Sequence, residues 1–234
     1  RLMKMGIITK QTKTVETLGS ATVICTDKTG TITENKMSLA ELYLFDSDTI
    51  IDTKEKLTTE AEEVLNYAMW ASEPIPFDAM EIAIHEAYSN FESEDERPLF
   101  KMVHEYPLSG KPPMMTHVFE NESGKKIIAA KGAPEALIEV SHLSEAEKNQ
   151  ILTAMKSMTQ KGFRVLGVGV SDFSGTDYPE TQQALKFNFK GLVAFYDPPK
   201  HNIQAVFETF YKAGIQVKIV TGDNAETTST IAKQ

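Results

Sequence analysis

The final third of the chain alternates continuous apolar runs with a helical stripe. Gly191 to Tyr196 is apolar throughout and is closed by Asp197-Pro198-Pro199-Lys200, which predicts a strand ended by a proline turn. Apolar residues at Ile203, Val206, Phe207, Phe210 and Tyr211 then fall on one helical face, and Gly214 ends that helix. Ile215 to Val220 predicts another strand, Thr221-Gly222-Asp223-Asn224 a turn, and Ala225 onward a further helix. Near the other end, the β-branched run Val23-Ile24-Cys25-Thr26 predicts a strand that delivers Asp27 into a turn of small, hydroxyl-bearing residues. A β-α-β-turn-α pattern combined with the Asp27 strand predicts a parallel sheet whose loops gather at one edge, where active sites form.

The middle of the chain has a different pattern. Capping-box starts at Thr59-x-x-Glu62, Asp78-x-x-Glu81 and Ser144-x-x-Glu147 predict helices, the second with an apolar face of Met80, Ala83, Ile84, Ala87 and Tyr88. Lys126 to Lys131 and Arg164 to Val170 predict strands. The fold expected is therefore α/β in two parts, residues 1–38 and 189–234, interrupted by an inserted α+β domain at 39–188. The acidic stretch Glu92 to Glu96 predicts a solvated loop, and no internal repeat is visible.

Composition narrows the function classes. With 234 residues, 41% of them hydrophobic, the chain can bury one large or two modest cores, which excludes a disordered polypeptide. Lys and Arg number 24 against 33 Asp and Glu, a net charge of -9, so no general nucleic-acid-binding surface is expected. Any phosphate chemistry has to be local. The single cysteine, Cys25, excludes an internal disulfide and fits a small apolar position in a buried strand. No signal peptide and no apolar run near the ~20 residues that span a bilayer is apparent, so the chain taken alone is expected to be soluble. The opening Arg1 and the close at Gln234 suggest a segment cut from a longer protein.

Asp27 is the candidate nucleophile. A carboxylate at a strand end, followed by Thr29-Gly30-Thr31, can accept a phosphoryl group while backbone N–H groups and hydroxyls approach its oxygens. The plainer alternative is an ordinary turn with capping chemistry. A strand closing on such an aspartate resembles the opening of the haloacid dehalogenase-like fold, whose phosphatases carry a second aspartate two positions on. Here that position is Thr29, which cannot act as a general acid. Asp27-Lys28-Thr29-Gly30-Thr31, continued by Ile32 to Met37, resembles the phosphorylation sequence of P-type cation-transporting ATPases, in a calcium-pump-like, bacterial form.

That resemblance implies a set of roles. Asp27 accepts the γ-phosphate of ATP. The Asp27 carboxylate and the Thr29 main-chain carbonyl ligate Mg²⁺, a hard cation suited to oxygen donors. Lys28, the Thr29 hydroxyl and the Thr221-Gly222-Asp223 turn hold the phosphate, although Asp223 also fits a helix cap. Ala130-Lys131-Gly132-Ala133-Pro134-Glu135 resembles the strand lining the adenine pocket, with Lys131 beside the base and Gly132 next to it. Glu81 is expected to reach the adenine, Arg164 of Gly162-Phe163-Arg164-Val165-Leu166 the nucleotide phosphates, and Asp197 to lie at the hinge between domains. Leu108, Gly110 and Pro113 stand where animal calcium pumps place an aromatic ring, an arginine and a lysine, so nucleotide affinity is expected to be weak. His117 is expected to be a core or strand histidine rather than a ligand.

The implied protein is the cytoplasmic catalytic part of an ATP-driven cation pump, at the cytoplasmic face of a membrane. Its implied partners are ATP, the transported cation and the pump's own transmembrane and actuator domains. Two alternatives remain open on the residues alone, a stand-alone haloacid dehalogenase-like phosphatase and a nucleotide-binding module without chemistry. The transported ion is not legible, because membrane residues select it.

Overall fold

A computed structural model describes residues 19–91, 95–175 and 177–220. The chain divides into two units, one reaching Asn35 and resuming at Pro198, the other running from Lys36 to Asp197.

In the smaller unit, β1 (Val23–Asp27) pairs in parallel with β9 (Gln216–Val220), and the register sets Asp27 opposite Val220. A crossover helix, α5 (Ile203–Lys212), precedes β9, and Gly214 at φ 75° turns the chain between them. Ile215 N closes the helix end by donating to Phe210 O at 2.9 Å. Cys25 is exposed here rather than buried, because it shares with Val23 a sheet face that no described residue covers.

The larger unit is built on a seven-stranded antiparallel sheet in the order β3-β2-β8-β7-β6-β5-β4. Its strands are β2 (Ser38–Leu44), β3 (Thr49–Asp52), β4 (Phe100–Ser109), β5 (Met114–Asn121), β6 (Lys126–Gly132), β7 (Arg164–Val170) and β8 (Asn188–Tyr196). Helices α1 (Thr59–Trp70) and α2 (Ala79–Phe91) cover one face, where Val64, Leu65, Ala68 and Ile84 meet Leu42, Ala129, Val168 and Val193. Helices α3 (Pro134–Val140) and α4 (Glu145–Gln160) cover the other, where Leu137, Ile151 and Met158 meet Tyr43, Ile128, Leu192 and Ala194. Successive residues of a central strand therefore enter opposite cores, and each must be apolar.

That arrangement corrects one expectation. The run Gly191 to Tyr196 is a strand, but it pairs antiparallel with β2 and β7 inside the larger unit instead of extending the parallel sheet of Asp27. An apolar run reports only that both faces are covered, which holds in either sheet type. The division of the chain accordingly falls after Asp197, not before residue 189.

The helix starts follow their caps with two changes. Ser144 forms the full reciprocal box, Glu147 N donating to Ser144 Oγ at 3.3 Å and Ser144 N donating to Glu147 Oε2 at 2.7 Å. The first helix is capped by Thr58, whose hydroxyl accepts from Ala61 N, one residue earlier than the expected Thr59. Asp78 caps α2 by accepting from Met80 N at 2.9 Å, but Glu81 does not return to it, being committed elsewhere.

Candidate functional site

The described residues singled out by sequence divide between the two units. In the smaller unit, Asp27 lies at the carboxyl end of β1 with its side chain exposed, and its Oδ1 accepts from Lys28 N at 2.7 Å. The chain then makes one wide turn, Lys28–Ile32, in which Thr29 is extended and Gly30 takes φ 75°. That left-handed step favours glycine. Thr33 locks the turn: its N–H and hydroxyl both donate to Lys28 O, at 3.1 and 3.3 Å, while its Oγ1 accepts from Gly30 N at 3.2 Å. Lys200 Nζ donates to Gly30 O at 2.7 Å, bringing a cation to this turn, whereas Lys28 is buried at 3% exposure. The remaining expected residues here, Thr221, Gly222 and Asp223, lie outside the described residues.

The donors present suit Mg²⁺ as far as they go. Asp27 offers carboxylate oxygen and Thr29 a peptide carbonyl, both hard ligands, and one Asp27 oxygen is already oriented by the Lys28 N–H.

In the larger unit, Lys131 is at the end of β6 with only 4% of its surface exposed. Its Nζ donates to Glu81 Oε1 and to Ala71 O, both at 2.6 Å, and lies 3.3 Å from Met115 Sδ. Burial pushes the Lys131 ammonium below the usual lysine range, and the Glu81 charge opposes that shift. Glu81 Oε1 also accepts from Glu73 N at 3.3 Å, and its buried Oε2 has no hydrogen-bond partner. Sequence reasoning named Lys131 and Glu81. It missed Ala71 O and Glu73 N, which are backbone groups and leave no trace in residue type.

Arg164, exposed at the start of β7, pairs with Phe195, while Lys131 pairs with Val168. Arg164 and Val168 are an even number of residues apart, so Arg164 and Lys131 share the sheet face that α1 and α2 cover, about 13 Å apart along the strand direction. Asp197 lies two residues beyond Phe195 and is 6% exposed. Leu108, near the end of β4, is 64% exposed. Gly110 follows at φ 95°, a backbone that would strain an arginine. Gly132 has a packing reason: a Cβ there would lie 2.5 Å from Met114 Cα and 2.6 Å from Pro113 O.

The structure thus joins Lys131 to Glu81 directly, sets Arg164 four residues along β7 from the partner of Lys131, and puts Leu108 on β4, two strands across the sheet from Lys131. Open clefts of about 570, 450 and 490 Å³ lie elsewhere in this unit, and none of the three is lined by Lys131, Glu81, Leu108, Gly132 or Arg164. The expected strand histidine is borne out in its burial: His117 is completely buried on β5. Among the described residues no helix is long and apolar enough to cross a membrane.

Comparison with known proteins gives the family. The model for "P-type ATPase, cytoplasmic domain N" matches residues 72–202, more than half of the chain. Calcium-transporting ATPase 1 of Saccharomyces cerevisiae is 31% identical, covering 100% of this chain and 29% of that protein. Calcium-transporting ATPase 1 of Bacillus cereus is 30% identical, covering 100% of this chain and 28% of its own length. Potassium-transporting ATPase alpha chain 2 of Rattus norvegicus is 28% identical over 100% of this chain and 27% of that protein. The chain therefore spans under a third of the length of these relatives. From the matching family model and relatives aligned over its whole length, this chain belongs to the P-type ATPases, and residues 72–202 match their cytoplasmic domain N.

Proposed function

We propose that this chain is the catalytic part of an ATP-driven cation pump, in which the smaller unit accepts the γ-phosphate of ATP on Asp27 and the larger unit binds the nucleotide. The observation that carries this reading is the Asp27 carboxylate, exposed at the carboxyl end of a parallel strand with one oxygen oriented by the next backbone N–H. The smaller unit is then part of a haloacid dehalogenase-like domain.

A carboxylate oxygen of Asp27 attacks the γ-phosphorus in line, forming an O–P bond as the bond to the ADP oxygen breaks, which yields an aspartyl phosphate. Thr29 and Lys200 supply hydroxyl and ammonium donors around the transferred group, joined by the Thr221 hydroxyl and the Gly222 backbone of the turn that carries Asp223. Asp27 and the Thr29 carbonyl hold Mg²⁺, which when bound offsets the charge of the phosphoryl oxygens.

In the larger unit, the unpartnered Glu81 Oε2 accepts from the adenine amino group, with Lys131 fixing that carboxylate. Gly132 keeps β6 tight against β5, Arg164 meets the phosphates, Leu108 gives an apolar contact in place of a ring, and Asp197 ends the last strand before the hinge.

Labelling with radioactive ATP tests the reading in the full-length protein. An acid-stable, hydroxylamine-labile phosphate is expected on the wild type and absent from Asp27→Asn, which keeps shape but lacks the nucleophile. Wild-type labelling of Asp27→Asn would place the phosphate on another residue and overturn the proposal.

A further inference from the structure

We propose that Glu73, Glu105 and His117 form a three-ligand site for a divalent transition metal of the zinc class. It is separate from the Asp27 cluster, and it does not depend on the nucleotide assignment. One His117 ring nitrogen and one carboxylate oxygen from each glutamate lie within 4.8 Å of one another, the only such grouping among the described residues.

The histidine makes this more than a pair of surface acids. His117 is 0% exposed, and its Nδ1 lies 3.0 Å from Ser72 O. A carbonyl can only accept, so Nδ1 carries the proton and Nε2 presents a lone pair. That Nε2 is buried without a hydrogen-bond partner and faces Glu73 Oε1 at 3.9 Å. Both atoms are acceptors when Nδ1 holds the proton, and a cation between them would satisfy the buried ring nitrogen and the carboxylate together. A backbone carbonyl holding Nδ1–H while Nε2 points into the site is the outer-shell pattern of metal-bound histidine.

The surrounding charge also fits. Glu73, Glu105, Glu81 and Asp78 outnumber the single Lys131 ammonium around this face, an excess of negative charge that a divalent ion would offset. One imidazole with two carboxylates favours zinc-class ions over Mg²⁺ or Ca²⁺, which take oxygen shells. Metal–ligand bonds near 2 Å require the donors to close to roughly 3.4 Å. His117 is fixed by the sheet. Glu73 is partly exposed and Glu105 exposed, so both can swing inward and leave a fourth position open to water.

Glu105 and His117 are cross-strand partners on β4 and β5, whereas Glu73 lies in the connection between α1 and α2. A bound metal would clip that connection to the sheet. Because Glu73 N donates to Glu81 Oε1, it would also steady the Lys131–Glu81 pair.

Calorimetric titration of the chain with Zn²⁺, and optical titration with Co²⁺, test the site. One-to-one saturable binding is expected, with Co²⁺ giving a visible absorption band and the His117 Nε2 resonance shifting on Zn²⁺ addition. Glu105→Gln and Glu73→Gln should each weaken binding at least about tenfold, since even outer-shell losses cost that much. Glu105 is exposed, so its variant reports binding without a folding defect. Wild-type affinity in both variants, an unmoved His117 resonance, or only non-saturating binding would overturn the proposal.

Discussion

Glu81→Leu tests the Lys131–Glu81 pair. In this variant the Lys131 ammonium, 4% exposed, keeps Ala71 O but loses its anion. Removing one member of a buried ion pair costs about 3–5 kcal/mol, and replacing both by apolar groups of similar volume is close to neutral. At about 2–4 °C per kcal/mol for a unit of this size, Glu81→Leu should lower the melting midpoint of the larger unit by roughly 6–20 °C. Lys131→Met should do much the same, because it leaves a buried carboxylate. The double variant should melt near the wild type. Thermal and urea unfolding followed by circular dichroism gives all four corners of the cycle.

The pH response has a definite sign. Burial holds the folded-state pKa of Lys131 below its ordinary 10.5, so between the two values the unfolded chain binds more protons and stability rises with pH. In Glu81→Leu the charge opposing that depression is gone, so the rise should begin at lower pH and be larger than in the wild type. If the two single losses simply add in the double variant, with coupling below about 0.5 kcal/mol, the pair contributes nothing as a pair and the reasoning fails.

Three further outcomes follow from local geometry. Gly132→Ala should lose about 1–3 kcal/mol in a urea melt, because its Cβ would meet backbone atoms of Met114 and Pro113; an unchanged melt with weaker nucleotide binding would instead make Gly132 a ligand contact. Ser144→Ala should cost about 1 kcal/mol by removing the capping box of α4, read from the same transition. Leu108→Phe, at an exposed position, should tighten adenine nucleotide binding by about 1 kcal/mol, roughly fivefold, in a fluorescence or NMR titration. Equal affinity in the two proteins would remove Leu108 from the binding surface.

Local chemistry was legible in the sequence wherever a residue acts on its own neighbours. Ser144 and Glu147 are three residues apart and form the box that their spacing predicts. Asp27 does end a strand and enter a turn, as the β-branched run before it and the small residues after it predict. Pairing over long separations was not legible. The apolar run before Asp197 identified a strand but not its neighbours, since a helix-covered antiparallel sheet and a parallel sheet ask for the same residues. Glu81 looked like part of a box with Asp78 because both lie at one helix start, yet its carboxylate turns to a lysine on β6. His117 gave no sign of Glu73 or Glu105, which lie on a helix connection and a neighbouring strand and come near it only in the folded unit.

The strand order of the larger unit has a consequence for assembly of the chain. Its first and last strands, β2 and β8, are neighbours, with Ser38 paired to Tyr196, so the two ends of the unit emerge side by side. A domain built this way can sit within a host polypeptide while adding no more than a short gap to it. It also joins its own beginning to its end late in folding, because pairing β2 with β8 requires the whole intervening chain to be gathered first. A circular permutant that links Tyr196 to Ser38 through a short glycine linker and opens the β5–β6 turn at Gly124 would turn that pairing into a hairpin and make β5 with β6 the end-to-end pair, moving the last seam of the sheet to the other side of β7.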